Sequence, residues 1–288
     1  MRQISLMMMA FLSGALASAD IYVSPSGDDA NNGLNWGFAK KTIQAAVNAA
    51  VPGDQVWVTN GTYNLTAEII VTNAIFIRSV NGPEVTIVDG HGSNCCFNLS
   101  AGSIRGLTVR NGYASGGHGG GIYCANNLPV VTDCVIVSNR AKNGTTGGNG
   151  FDGGGMYQGI ASNCMFIGNQ AGNGGGGSNG VDDGPAGNGG RGGNGGGFYG
   201  NNAYNCIFIH NYAGSGGSGG NSYSLDIGSG GGGGDGGGMY GITAVNCSFS
   251  NNLAGNGGYG GIELQPRSST QRNGGNGGRG GGFYGQTA

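Results

Sequence analysis

Few side chains in this sequence could carry acid–base or metal chemistry. In the repeated segments described below, the ionisable side chains other than Cys and Tyr are Asp133, Arg140, Lys142 and His210. Glycoside hydrolysis needs two carboxyl groups about 5 to 9.5 Å apart, and a calcium site needs several converging oxygen ligands. No two carboxylates occupy equivalent or adjacent positions of neighbouring repeats. The sequence therefore predicts no catalytic, cofactor-binding or metal-binding residue, and it favours a non-enzymatic protein.

Two loose groups are the best remaining candidates for a site. Asp89 lies near His91, and Arg105 lies near Arg110, on one or two predicted coils. Carboxylates in the glycine-rich segments could bind a cation, but solvated loop acids are the more ordinary interpretation. These carboxylates are Asp182, Asp183 and Asp235.

The cysteines have a regular spacing that predicts burial. Four of the seven, Cys134, Cys164, Cys206 and Cys247, occupy the same position of a repeat. Such residues can stack as small apolar side chains in a core. Disulfide bonds are the alternative in an exported chain, although an odd number leaves at least one thiol unpaired. Metal ligation fits less well, because no paired Cys-x-x-Cys spacing occurs.

These cysteines belong to a repeat that predicts the fold. Each copy has Gly-Gly-Gly, an apolar residue and Tyr, and then Cys, an apolar residue two positions later and Asn five positions later. The Asn falls where the strand should turn, and Asn suits a turn because it tolerates left-handed backbone angles. Alternation with period two is typical of a strand, and parallel copies stack about 4.8 Å apart. The sequence predicts an all-β, right-handed parallel β-helix with a short N-terminal capping helix and long glycine-rich loops on one face. Equivalent residues should form ladders: Cys134, Cys164, Cys206, Cys247; Ile136, Phe166, Phe208, Phe249; and Asn139, Asn169, Asn211, Asn252.

Glycine-rich insertions interrupt the repeats at one fixed place, between the Asn and the next glycine triplet. The longest are residues 173–194 and 215–235, and the chain contains 70 glycines in 288 residues. Such segments bury little and cost much entropy to order, which favours mobile solvated loops. The alternative is that they pack against each other as extended segments resembling polyglycine II.

The N-terminal part differs from the repeats. Residues 1–19 read as a secretory signal ending in Ala17-Ser18-Ala19, which predicts an exported mature chain, residues 20–288, forming one β-helix domain. Within it, residues 20–63 hold a first strand and a capping helix from Ile43 to Val51 with Thr42 as N-cap. Residues 64–111 form regular coils, and residues 112–288 form coils with insertions. Leu107 and Val109 match the later inward pair, but Asn111 comes one residue early.

Composition excludes some partners. The net charge is −2, and only 9% of the residues are charged, without a basic patch. Nucleic acid is therefore not an expected partner. No apolar run after the signal reaches the ~20 residues that a membrane helix needs. The repeat that begins at Gly280 stops before its strand, which suggests further coils or a C-terminal anchor.

Two resemblances suggest a function class. Phe-x-x-Asn followed by Gly-Gly-x-φ, over residues 104–288, resembles the repeat of the polymorphic outer-membrane proteins of bacterial autotransporters. Residues 21–63, with Trp36, Thr42-Ile43-Gln44 and Pro52-Gly53-Asp54, resemble the entry coil of secreted pectate-lyase-like proteins. The resemblances imply an exported adhesive or structural surface protein whose ligand would be an extracellular carbohydrate or a cell-surface molecule. The alternative is a polysaccharide lyase, a hydrolase or a carbohydrate-binding module, with tyrosines lining a groove: Tyr113, Tyr123, Tyr157, Tyr199 and Tyr240. The preferred interpretation of the tyrosines that follow the glycine triplets is a stacked structural ladder.

Overall fold

The computed structural model describes residues 18–181, 184–224, 226–264 and 270–285. The predicted signal sequence, apart from Ser18 and Ala19, lies outside the described residues. So do Asp182 and Asp183. Among the described residues, no helix is both long and apolar enough to cross a membrane.

The chain forms short strands wound in successive coils, with little helix. One α-helix, α1, spans Ile43–Ala49, and a 3-10 turn spans Trp36–Phe38. In chain order the strands are β1 (Asp20–Val23), β2 (Gln55–Val58), β3 (Gly61–Asn64), β4 (Ile69–Val71), β5 (Phe76–Ser79), β6 (Thr86–Asp89), β7 (Phe97–Leu99), β8 (Ser103–Arg105), β9 (Thr108–Arg110), β10 (Ile122–Cys124), β11 (Val130–Thr132), β12 (Val135–Val137), β13 (Met156–Tyr157), β14 (Ile160–Ser162), β15 (Met165–Ile167), β16 (Phe198–Tyr204), β17 (Ile207–Ile209), β18 (Met239–Val245), β19 (Ser248–Ser250) and β20 (Phe283–Gly285).

Each full coil contributes strands to three parallel faces. One face is the sheet β3-β6-β9-β12-β15-β17-β19. The other two faces are joined, because β16 and β18 run through the corner between them, so that β16 pairs with both β13 and β14. Strands joined by a crossover into one parallel sheet wind right-handedly. The predicted right-handed parallel β-helix is confirmed.

The core lies inside the coils, where each face contributes a row of inward-pointing side chains. Phe166 stacks on Phe208, and Phe208 stacks on Phe249, each with ring centroids 4.8 Å apart. Ile136 occupies the equivalent position one coil earlier. Alternate residues face this core because successive side chains of a strand point to opposite sides of the sheet.

The asparagine ladder lies inside the coils and does not form their corners. We expected these asparagines to take left-handed turn conformations, and this was wrong. The left-handed residue is the one before each of them: Ser138, Gly168, His210 and Asn251. Asn169 is instead fully buried, and its Nδ2 donates to the carbonyl oxygen of Ile136 at 2.9 Å and to Oδ1 of Asn211 at 2.9 Å. Its carboxamide thus links the coil before it to the coil after it.

The coil of Leu107 is in register with its neighbours. Val109 pairs with Ile136, as the apolar pattern predicts. Asn111 aligns with Ser138, and both have left-handed backbone angles. The place of Asn139 is taken in this coil by Gly112, whose N–H donates to the Asn139 side chain at 2.8 Å. The early Asn is therefore a corner residue, and the asparagine ladder starts one coil later.

The capping helix covers the first coils. The Thr42 side chain accepts a hydrogen bond from the Ala45 N–H, as expected of an N-cap, and Ile43, Ala46 and Val47 are buried. The helix packs against β1, β2 and β4. It ends at Ala49, two residues before the predicted end, because Ala50 is extended (φ −79°, ψ 143°).

The insertions form a second ordered structure, which we call the polyglycine layer (the described residues of 141–153, 171–195, 213–236 and 254–280). Each outgoing segment lies between returning segments. The Gly193 N–H donates to the Gly172 oxygen, and the Gly214 N–H donates to the Gly193 oxygen, both at 2.8 Å. The same pattern recurs three residues away, from Gly190 to Gly175 and from Gly217 to Gly190. A three-residue period is that of the polyglycine-II conformation. The favoured expectation of solvated loops is wrong, because hydrogen bonds between segments satisfy the backbone.

Candidate functional site

Five tyrosines form a ladder along one edge of the β-helix, where each glycine triplet enters its strand. Neighbouring rings have centroids 5.0 to 5.7 Å apart and stack nearly parallel over the first four members. This tyrosine ladder consists of Tyr123, Tyr157, Tyr199, Tyr240 and Tyr284. A ring between two others has both faces covered, so it cannot offer a face to a ligand. Tyr113 lies elsewhere, bridged to Arg140.

The ladder begins beside a pocket. Tyr123 pairs in register with Asn98 on one side and with Tyr157 on the other. Within the described chain, the Tyr123 ring contacts no ring other than that of Tyr157. The side towards Asn98 opens onto a pocket of about 520 Å³, the ladder-end pocket. Its polar lining includes Glu68, Asn94, Asn98, His118 and Tyr123.

A polar ladder runs next to the tyrosines, and the sequence reasoning missed it. The residue before every glycine triplet is polar: His118, Asp152, Asn194, Asp235 and Arg279. Each of the first four side chains accepts a hydrogen bond from the backbone N–H of the next member, at 2.7 to 2.9 Å. In the sequence, a polar residue recurs five positions before each tyrosine of the ladder, and this spacing could have revealed the polar ladder. It was missed because the five residues are of different chemical types.

Hydrogen bonding fixes the protonation of His118. Its Nδ1 accepts from the Asp152 backbone N–H at 2.9 Å, which leaves the proton of the neutral ring on Nε2. Burial lowers the pKa of His118 and outweighs the opposing charge of Asp152. The ring also stacks on Tyr157, with centroids 4.3 Å apart. At neutral pH, the His118 ring is therefore neutral and carries its proton on Nε2.

Other pocket groups divide into hydrogen-bonding groups and one inert thiol. The Asn98 amide donates to the Glu68 carboxylate at 3.5 Å, a long hydrogen bond. Burial raises the pKa of Cys95 to about 12, so its thiol stays protonated and is not a nucleophile. Instead it donates to the carbonyl oxygen of Gly119 at 3.1 Å. The pocket combines a carboxylate, two amides, an N–H donor, a phenol and an aromatic face.

The candidates singled out from the sequence form ion pairs on the coils. Arg110 contacts Asp89 at 2.7 Å, and Arg105 contacts Asp133 at 2.7 Å. Burial alone would raise the pKa of Asp89, but hydrogen bonds from the His91 N–H, Arg110 and Asn111 outweigh it and lower the pKa. These contacts hold neighbouring coils together. No group of three or more His, Cys, Asp or Glu in the described ranges could hold a metal ion.

The cysteines lie in the core as free thiols. Cys134, Cys164 and Cys206 are buried, and Cys247 is partly buried. The Cys164 thiol donates to the carbonyl oxygen of Ser162 at 3.2 Å, and the other three donate in the same way to the residue two positions earlier. All seven cysteines are unpaired.

Comparison with known proteins gives distant similarities only. No protein-family model and no curated protein matches the sequence. Among solved structures, the chain is similar to pectate lyase Pel9A (TM-score 0.39, 13% identity, covering 80% of this chain and 64% of that one). It is also similar to a rhamnogalacturonan lyase (0.36, 13%, 87% and 66%) and to the Escherichia coli protein YbhC (0.39, 11%, 100% and 88%). The chain thus spans less than two thirds of the length of either lyase.

Proposed function

We propose that this protein is an exported β-helix that binds an extended polysaccharide, and that the ladder-end pocket holds one sugar unit of it. One observation carries the proposal. The open end of the tyrosine ladder, at Tyr123, lies in the same pocket as Glu68, Asn98 and His118.

These groups match the chemistry of a sugar ring. A pyranose has apolar C–H faces and a rim of hydroxyl groups, and carbohydrate sites offer an aromatic surface with a few placed polar groups. Tyr123 supplies the surface. The Glu68 carboxylate accepts from hydroxyls, while the Asn98 amide and His118 Nε2–H donate to them. A chain leaving the pocket can follow the tyrosine ladder along the coils.

Cleavage is a second candidate activity. Glu68 is the single carboxylate among the residues that line the pocket, so the paired carboxyl groups of a glycoside hydrolase are not assembled there. Glu68 as a proton acceptor and Tyr123 as a proton donor would suit elimination from a uronic acid. Purified protein would then generate unsaturated products, which absorb in the ultraviolet, and Glu68→Gln would abolish the signal.

Binding can be measured by calorimetry with a panel of neutral and acidic polysaccharides. We expect Tyr123→Ala to weaken binding at least about tenfold, because stacking and exclusion of water are both lost. Tyr212→Ala is the matched control, since this exposed tyrosine belongs to neither the tyrosine ladder nor the ladder-end pocket.

Thermal unfolding of both variants separates folding from binding. If Tyr123→Ala and wild type bind every polysaccharide equally, the pocket is not the site. If wild type binds none of the panel, the adhesive or structural function expected from the sequence replaces this proposal.

A further inference from the structure

A second cavity lies at the other end of the tyrosine ladder, where the ladder meets the polyglycine layer. Its volume is about 640 Å³. We call it the arginine pocket. The non-glycine residues that line it are Arg191, Asn194, Asp235, Tyr240, Asn276, Arg279 and Tyr284, and the rest of the lining is glycine from residues 230–233 and 274–277.

The cavity exists because one side chain is missing from a row of aligned side chains. On the returning segments of the polyglycine layer, the outward positions of successive coils are Asn149, Arg191, Gly232 and Asn276, aligned by backbone hydrogen bonds. A Cβ on Gly232 would meet only the Asn276 oxygen at 3.6 Å and Arg191 Cγ at 4.0 Å, which are ordinary contacts. Packing therefore does not require glycine here. Gly232 leaves a notch beside Arg191.

The charges around the notch do not balance. Asp235 is 8% exposed, and both its oxygens are engaged. Oδ1 accepts from the Arg279 backbone N–H at 2.7 Å, and Oδ2 accepts from Arg191 Nη2 at 2.9 Å. The Arg279 side chain is exposed and makes no ion pair with a described carboxylate. The residues that line the pocket thus include two arginines and one carboxylate, a net charge of +1.

We propose that the arginine pocket binds the anionic group, carboxylate or sulfate ester, of an acidic polysaccharide. Guanidinium groups match such planar or multi-oxygen anions with paired hydrogen bonds. Tyr240 and Tyr284 line this pocket, and Tyr123 lines the other. Four coil steps of roughly 4.8 Å separate Tyr123 from Tyr284, about 20 Å in all. One polysaccharide lying along the ladder could contact both pockets. This extension to one shared ligand rests on the proposed function.

The test uses three polymers and two variants. Calorimetry compares polygalacturonate (carboxylate), dextran sulfate (sulfate) and dextran (neutral) at low ionic strength and at about 0.15 M salt. Arg279→Gln removes the arginine charge that has no ion-pair partner. Gly232→Asn fills the notch with the residue that occupies positions 149 and 276 of the same row. We expect each to weaken binding of the acidic polymer about tenfold and to leave dextran unchanged.

Controls match each change. Arg105→Gln removes one exposed arginine on the coils, and Gly176→Asn adds the same side chain at an outward glycine whose nearest neighbour is the Ser218 oxygen at 3.7 Å. Both should bind as wild type does. The polymer that responds identifies the anion as carboxylate, sulfate or both.

The outcomes separate this proposal from the previous one. If either Arg279→Gln or Gly232→Asn binds acidic polymers as tightly as wild type while remaining folded, the arginine pocket is not an anion site, whatever Tyr123→Ala does. If both variants weaken binding and Tyr123→Ala does not, the anion site stands and the ladder-end pocket fails.

Discussion

At the scale of single residues, the cysteines behave as core side chains whose polar hydrogen is satisfied by backbone. Cys164 is 1% exposed, and burial raises its pKa well above the usual value, because a thiolate loses its hydration inside the coils. Cys247 is in the last full coil and is only partly buried. Reactivity should therefore differ between equivalent positions of the ladder.

We expect native protein to react with a thiol reagent first at Cys247, with Cys164 reacting only on unfolding, because a reagent must reach the sulfur and Cys247 is the least buried cysteine of the ladder. Mass spectrometry of partially labelled protein measures the order. Cys247→Ser should remove the fast phase of labelling in the native protein. After denaturation, it should lower the total number of labelled thiols by one. Rapid labelling of Cys164 in folded protein would contradict its placement in the core.

Residue spacing predicted much of this interior, because Cys and the apolar residue two positions later recur with period two. It did not predict the location of Asn169. An Asn that follows a strand is compatible with a left-handed corner and with a buried ladder, since both use its amide. Only the position of the next coil distinguishes them, and a single repeat does not contain that information. The ladder-end pocket was missed for a related reason, because Glu68 and His118 are 50 residues apart and meet through coiling.

At the scale of elements, the polyglycine layer depends on close approach of backbones. A Cβ on Gly175 would overlap the carbonyl oxygen of Thr145, whereas a Cβ on Gly176 meets only the Ser218 oxygen at 3.7 Å. Neither residue has a positive φ angle. The difference between these adjacent glycines is therefore steric.

We expect Gly175→Ala to destabilise the protein, by about 1–3 kcal/mol as for overpacking, and Gly176→Ala to be neutral or slightly stabilising. Denaturant unfolding followed by circular dichroism measures both. Equal stability of the two variants would show that the segments do not pack as described. The matched pair also separates close approach from the general entropy of glycine, which both variants change equally.

Element prediction from the sequence succeeded where apolar residues alternate along a strand and failed where a strand has few of them. The short runs at residues 55–58, 68–71 and 96–99 predict β2, β4 and β7 to within two residues of their bounds, whereas no such run predicts β3 or β8. Gly61-Thr-Tyr-Asn64 and Ser103-Ile-Arg105 contain too few apolar residues for alternation to show. They are strands because neighbouring coils supply their hydrogen bonds. The polyglycine segments are an extreme case, since their order comes only from packing between coils.

At the scale of the whole molecule, each coil contacts only the coils before and after it. Stability is then a sum of coil terms and nearest-neighbour interfaces, and a local defect should spread no further than adjacent coils. The asparagine ladder crosses these interfaces. Removing the Asn169 amide deprives the Ile136 carbonyl oxygen and the Asn139 backbone N–H of their partner, and it removes one of the two hydrogen bonds that Asn139 Nδ2 donates.

We therefore expect Asn169→Ala to lower the free energy of unfolding by about 1–3 kcal/mol, the cost of unsatisfied buried groups. Asn127→Ala, at an exposed position, is the matched control and should change it little. Hydrogen exchange gives the spatial test. Amides of β12, β15 and β17 should exchange faster in Asn169→Ala, while those of β2 and β5, several coils away, should keep their wild-type protection. Uniformly faster exchange along the chain would mean that the coils unfold as one cooperative unit, and the nearest-neighbour description would then be wrong.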